Sequence, residues 1–130
     1  MSPLESTKAM YECVARGNWS AVATFMADDL VIHEPATLPY GGQWRGRDAL
    51  QRLFKSVMGF WDDPQVEWID MVGGETRVVA LLQFTMTART SGQRFSQRVA
   101  EVTTFNADGL MSEMHIHYFD TGEMARMMGG

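Results

Sequence analysis

The spacing of apolar residues changes once along this chain, and that change limits what it can fold into. Up to about Gly59 the apolar residues recur at helical spacing, and from Gln65 onward they alternate. Leu50, Leu53, Phe54, Val57 and Met58 form a stripe at i, i+3, i+4, i+7 and i+8, which predicts one face of a helix following Asp48. Val78, Ala80, Leu82, Phe84 and Met86 instead share one face of an extended segment over Thr76 to Thr90. Strands are also expected at Val66–Ile69, Arg94–Phe105 and Leu110–Phe119. They are separated by the turn formers Gly73-Gly74, Ser91-Gly92 and Asn106-Ala107-Asp108-Gly109. Turns this short join antiparallel neighbours. Helices first and hairpins afterwards predict an α+β domain, with helices on one face of a curved sheet.

The first half holds two more helices and an isolated strand. Leu4 to Arg16 is expected to be helical, with Leu4, Tyr11 and Val14 inward beside Met10, and Gly17 as its stop. Asn18 caps a short helix whose inner face is Trp19, Val22, Ala23 and Met26. After Asp28-Asp29 comes a strand with Leu30, Ile32 and Glu34 on one face and Val31 and His33 on the other. A carboxylate therefore lies on an apolar face, immediately before Pro35. The loop beyond it, with Pro39, Gly41, Gly42 and Gly46 around Tyr40 and Trp44, reads as the rim of a pocket. A short helix from Thr121 to Met128 closes the chain.

Composition removes several function classes. A length of 130 residues suits one domain over 1–130, and 45% hydrophobic with 21% charged residues is ordinary for a globular protein. A net charge of -5 without a Lys/Arg cluster argues against nucleic acid as partner. No apolar run reaches membrane-spanning length and MSPLESTKAM lacks a signal-peptide pattern, so no membrane association and a cytoplasmic location are expected. Cys13 stands alone, without a disulfide partner or metal-ligand spacing. Eleven Met residues suit a core filled by adaptable side chains.

ADDLVIHEP, the Gly-rich loop, GRDALQRLF and NADGLMSEMHIHYFD, in that order, resemble the nuclear transport factor 2-like superfamily. Within it the chain is most similar to the SnoaL-like polyketide cyclase and ketosteroid isomerase branch, over Tyr11 to Met128. The resemblance implies a cone: a strongly curved, mostly antiparallel sheet wrapped around three helices of the N-terminal half, with an internal apolar pocket. It places the isomerases' general-base position on Glu34 and their neutral second acid on Glu101. Their oxyanion tyrosine falls on Met10, with Tyr11 one position out of phase. Both acids are Glu rather than Asp, a departure from the steroid enzymes. The resemblance further implies Tyr40 and Trp44 as lid aromatics and Leu82, Phe84 and Met86 as pocket floor. Met114, Ile116 and Tyr118 would come from the last strand.

The implied function is a cofactor-free isomerase or aldol-type cyclase acting on a small, largely apolar carbonyl compound. A carboxylate base would remove the proton beside the carbonyl, and a neutral donor would hold the charge that appears on oxygen. That logic is the general one known for ketosteroid isomerase. The alternatives are a non-catalytic ligand-binding or dimerisation module and an epoxide hydrolase. The hydrolase's last-strand acid would fall on Ile116, or on His117 across a bulge, and neither is an acid. Glu34 has a plainer alternative as a salt-bridge partner of Arg45 or Arg47, Glu101 as an exposed strand residue, and Asp120 as the cap of the last helix. The resemblance sends His115 and His117 outward, although a β-bulge would reverse that phase, and His33 also takes the outward phase. No third ligand of suitable spacing joins the His-x-His pair, so no metal is expected. Val79, Leu81, His117 and Phe119 give the outer face an apolar character that suits a homodimer.

Overall fold

The computed structural model describes residues 1–129. Among them are four helices and six strands, joined in one mixed sheet that is curled but not closed. Helix α1 (Pro3–Ala15) starts with a reciprocal cap. Ser2 Oγ accepts from the Glu5 N–H at 3.1 Å and Glu5 Oε1 accepts from the Ser2 N–H at 2.9 Å, with Pro3 in the first turn. Its buried residues are Ser6, Thr7 and Met10. Leu4, Tyr11 and Val14, expected inward, flank that strip and are half-buried. The helix is turned so that Tyr11 faces the sheet edgewise, its ring 4.6 Å from that of Trp68.

Helix α2 (Trp19–Ala23) is capped by Asn18, whose Oδ1 accepts from the Ala21 N–H. Strand β1 (Met26–Glu34) begins earlier than expected, so Met26 belongs to the strand and not to the helix face. Strand β2 (Gly42–Arg45) is its hairpin partner, and α3 (Ala49–Met58) follows. Ala49 and Leu53 are buried in α3, but Phe54 is exposed and meets Trp19 with ring centroids 5.3 Å apart and planes tilted by 55°.

Strand β3 (Trp61–Gly73) also starts before the expected Gln65 and runs through Pro64. Asp63 takes φ 52, and the pairing with β4 slips between Asp62 and Gln65, a bulge that absorbs the proline. A strand at the edge of a sheet tolerates this, because its free side needs no N–H donor. Strands β4 (Arg77–Ala88), β5 (Arg94–Phe105) and β6 (Met111–Tyr118) follow as hairpins, and α4 (Thr121–Met127) ends the fold.

The strand order is β2-β1-β6-β5-β4-β3, antiparallel throughout except where β1 runs parallel to β6. The α+β architecture read from the sequence is the one observed. The core between helices and sheet is dominated by Met10, Met26, Met86, Met111 and Met124 with Leu30, Ile32, Leu82 and Trp61, each 0–1% exposed.

Candidate active site

Alternation along β1 turns Glu34 inward with Leu30 and Ile32, and it is only 7% exposed. Tyr118 Oη donates to Glu34 Oε2 at 3.3 Å, whereas Oε1 has no partner. The plainer role is not available. Arg47 is committed to Asp28 at 2.5 Å, and Arg45 donates to Gln43 at 2.5 Å. A carboxylate without a cationic partner resists losing its proton when taken out of water. Burial therefore pushes the Glu34 carboxyl up to about 8; the charge of Glu101 adds to the rise and the Tyr118 hydrogen bond opposes it.

Glu101 lies on the same face of β5 as the buried Val99 and Thr103, and pairs across the ladder with Ile116 of β6. The Tyr11 hydroxyl donates to Glu101 Oε1 at 2.5 Å. Burial raises this carboxyl too, and the Tyr11 bond lowers it in part. The parallel pairing of His33 with His115 brings Glu34, one residue on, alongside Ile116. Ile116 thus stands between the two acids on the concave face, and their backbones are two strand spacings apart, roughly 10 Å. The charge of Glu101 reaches Glu34, and each acid has its own tyrosine.

The tyrosines stay neutral. Burial, and then the charge of Glu34, hold Tyr118 well above the usual phenol range, and burial with the charge of Glu101 does the same for Tyr11. Trp61 Nε1 donates to Tyr40 Oη at 3.4 Å, and burial pushes that phenol up to about 12. The cluster is therefore two coupled carboxyls held among phenol donors. One of the carboxyls titrates near neutral pH, where a group can both take and return a proton.

Of the residues expected to line a pocket, Leu82 and Met86 are 1% exposed, Tyr40 2%, Met114 3% and Ile116 8%. Phe84, Trp44 and Tyr118 are half-buried, with Trp44 Nε1 donating to the Tyr40 carbonyl at 2.9 Å. One hollow, of about 260 Å³ between α1 and β3, is lined by Lys8, Tyr11, Glu12, Ala15, Trp68 and Met71. A second, of about 300 Å³, is lined by His33, Glu34, Pro35, His115, Ile116 and His117. Tyr11, which bonds Glu101, borders the first, and Glu34 itself borders the second.

Residues 7–114 match the SnoaL-like domain. The chain belongs to this family. Among solved structures it is similar to an NTF2-like protein of Burkholderia thailandensis, at 23% identity over 98% of both chains with a TM-score of 0.87. It is also similar to TerC, co-crystallised with polyporic acid, at 16% identity over 98% of both chains with a TM-score of 0.82. Δ5-3-ketosteroid isomerase from Mycobacterium sp. shares 22% identity over 90% of this chain and 93% of that one, with a TM-score of 0.65. At these identities the likeness is one of fold. No curated protein matches the chain.

Two residues of this SnoaL-like domain's cluster escaped the sequence. Tyr11 gave one signal, its place next to Met10 on the first helix. Trp68 gave none beyond being an aromatic in a strand. Asp120 takes the plainer role, its Oδ1 accepting from the Glu123 N–H at 3.0 Å as the cap of α4. No helix among the described residues is long and apolar enough to cross a membrane.

Proposed function

We propose that this SnoaL-like domain is a cofactor-free proton-transfer enzyme, an isomerase or aldol-type cyclase, acting on a small, largely apolar carbonyl compound. The observation that carries this is Glu34, a buried carboxyl with one unpartnered oxygen and no cation beside it among the described residues, near a second, half-buried acid, Glu101. Leaving such a group unpaired costs stability, and a site that moves protons is a physical reason to keep it. A substrate entering past Tyr11 and Trp68 would displace the flexible methionine side chains. Glu34, as the carboxylate, takes the proton from the carbon beside the carbonyl. The Tyr11–Glu101 pair donates to the carbonyl oxygen and holds the enolate until the proton is returned at another carbon. In a cyclase the enolate would instead attack a second carbonyl of the same molecule. The apolar surroundings make those few hydrogen bonds stronger than they would be in water.

The test is exchange of α-protons for deuterium in cyclic unsaturated ketones, followed by NMR in D₂O, with binding read separately from tryptophan fluorescence. The unaltered chain should catalyse exchange. Glu34→Gln should lower the rate ~10²–10⁴-fold while affinity largely survives. Binding without exchange in the unaltered chain would move the protein to the ligand-binding reading. Exchange indifferent to Glu34→Gln would place the base elsewhere.

A further inference from the structure

On the face of the sheet opposite the core, we propose a binding site for a divalent transition cation of the zinc class, formed by His33, His115 and Glu113. The parallel pairing of β1 with β6 sets His33 directly beside His115, and Val31 beside Glu113. The two imidazoles lie parallel, with centroids 4.2 Å apart and planes at 10°. His33 Nε2 is 2.8 Å from Glu113 Oε2, and one ligand atom from each of the three residues lies within 4.8 Å of the others.

Two imidazole nitrogens and one carboxylate oxygen are a donor set that zinc takes in its three-ligand sites. Zinc–nitrogen and zinc–oxygen bonds of about 2.0–2.2 Å in tetrahedral geometry need donor atoms roughly 3.3 Å apart. Rotation of half-buried side chains closes the remaining gap, while the paired strands hold the backbone positions. A hollow of about 300 Å³ beside the histidines, lined by His33, Glu34, Pro35, His115, Ile116 and His117, leaves room for water or a further ligand in the fourth position. The His-x-His spacing had pointed to His115 with His117, and no metal was expected. The fold instead groups His115 with Glu113 and, across the parallel pairing, His33.

The hollow also touches Glu34, but the test needs no turnover and so does not depend on the proton-transfer reading. The chain, stripped with chelator, is titrated with ZnCl₂ by calorimetry while the ring protons of its three histidines are followed by NMR. One ion per chain should bind, with the His33 and His115 signals moving together. His33→Ala or His115→Ala should each weaken binding by about a hundredfold or more, and Glu113→Gln by about tenfold. Absence of zinc uptake, shifts confined to His117, or affinity unchanged in both histidine variants would overturn the proposal. The NMR arm needs only the unaltered chain, so it decides even if a variant fails to fold.

Discussion

Replacing Glu34 by Gln should make the protein more stable, and increasingly so as pH rises. The folded state holds the Glu34 proton to about pH 8, because burial and Glu101 disfavour the anion. The unfolded chain releases it near the ordinary value of 4.5. Between those values the native state binds more protons than the unfolded one, so its stability falls as pH rises. At pH 7 the interval already crossed is about 2.5 units, which at 1.36 kcal/mol per unit comes to about 3 kcal/mol. A domain of this size has ~5–15 kcal/mol in all, so the loss is a sizeable share. The amide has nearly the same shape, still accepts from Tyr118, and has no charge to bury. Urea denaturation followed by tryptophan fluorescence at pH 5, 6, 7 and 8 measures it. The variant should gain on the parent by roughly 1 kcal/mol per pH unit, with the gain flattening as pH reaches the folded value of about 8. Glu101, raised in the same direction, keeps some slope in both proteins. Parallel stability curves for the two proteins would refute the reasoning, because a solvated or ion-paired carboxyl gives no such difference.

Two further outcomes follow from the same geometry. Tyr11→Phe removes the 2.5 Å hydrogen bond to Glu101 and should cost about 1–3 kcal/mol in chemical denaturation, with the Glu101 carboxyl moving further up. A homodimer through the outer face of the sheet is proposed from the exposure of Phe119, at 84%, with the half-buried Val79 and Leu81. Light scattering at micromolar concentration should give twice the chain mass, falling toward the monomer in Phe119→Glu; a monomeric parent would end the idea.

Local chemistry made much of this fold legible. Alternation over β4 and the tight turns after β3, β4 and β5 are written in neighbouring residues. The inward side of Glu34 follows from simple parity with Leu30 and Ile32. Tyr11 was less legible, because a helix advances about 100° per residue and a small rotation of α1 decides whether Met10 or Tyr11 meets the acids. The early start of β3 was hidden by Pro64, which reads as a strand breaker until an edge position and a bulge accommodate it. Of the cluster of His33, His115 and Glu113, only the Glu113–His115 spacing on one strand was local, and nothing in the neighbouring residues pointed to His33. His33 and Glu113 are 80 residues apart, and only the parallel pairing brings them into contact.

That parallel pairing also shapes the order in which the chain can be assembled. Strands β3 to β6 are linked by short turns and can find each other through nearby contacts, whereas β1 must wait for a partner at the far end of the sequence. Closing so long a loop is slow compared with zipping a hairpin. Until β6 is in place, β1 has only the four-residue β2 for company, and a two-stranded ribbon is marginal in water. Glu34 therefore reaches its buried position late, after the hairpins have formed the surface that receives it. The strain of burying an unpaired acid falls on the final docking step rather than on the nucleus of the fold.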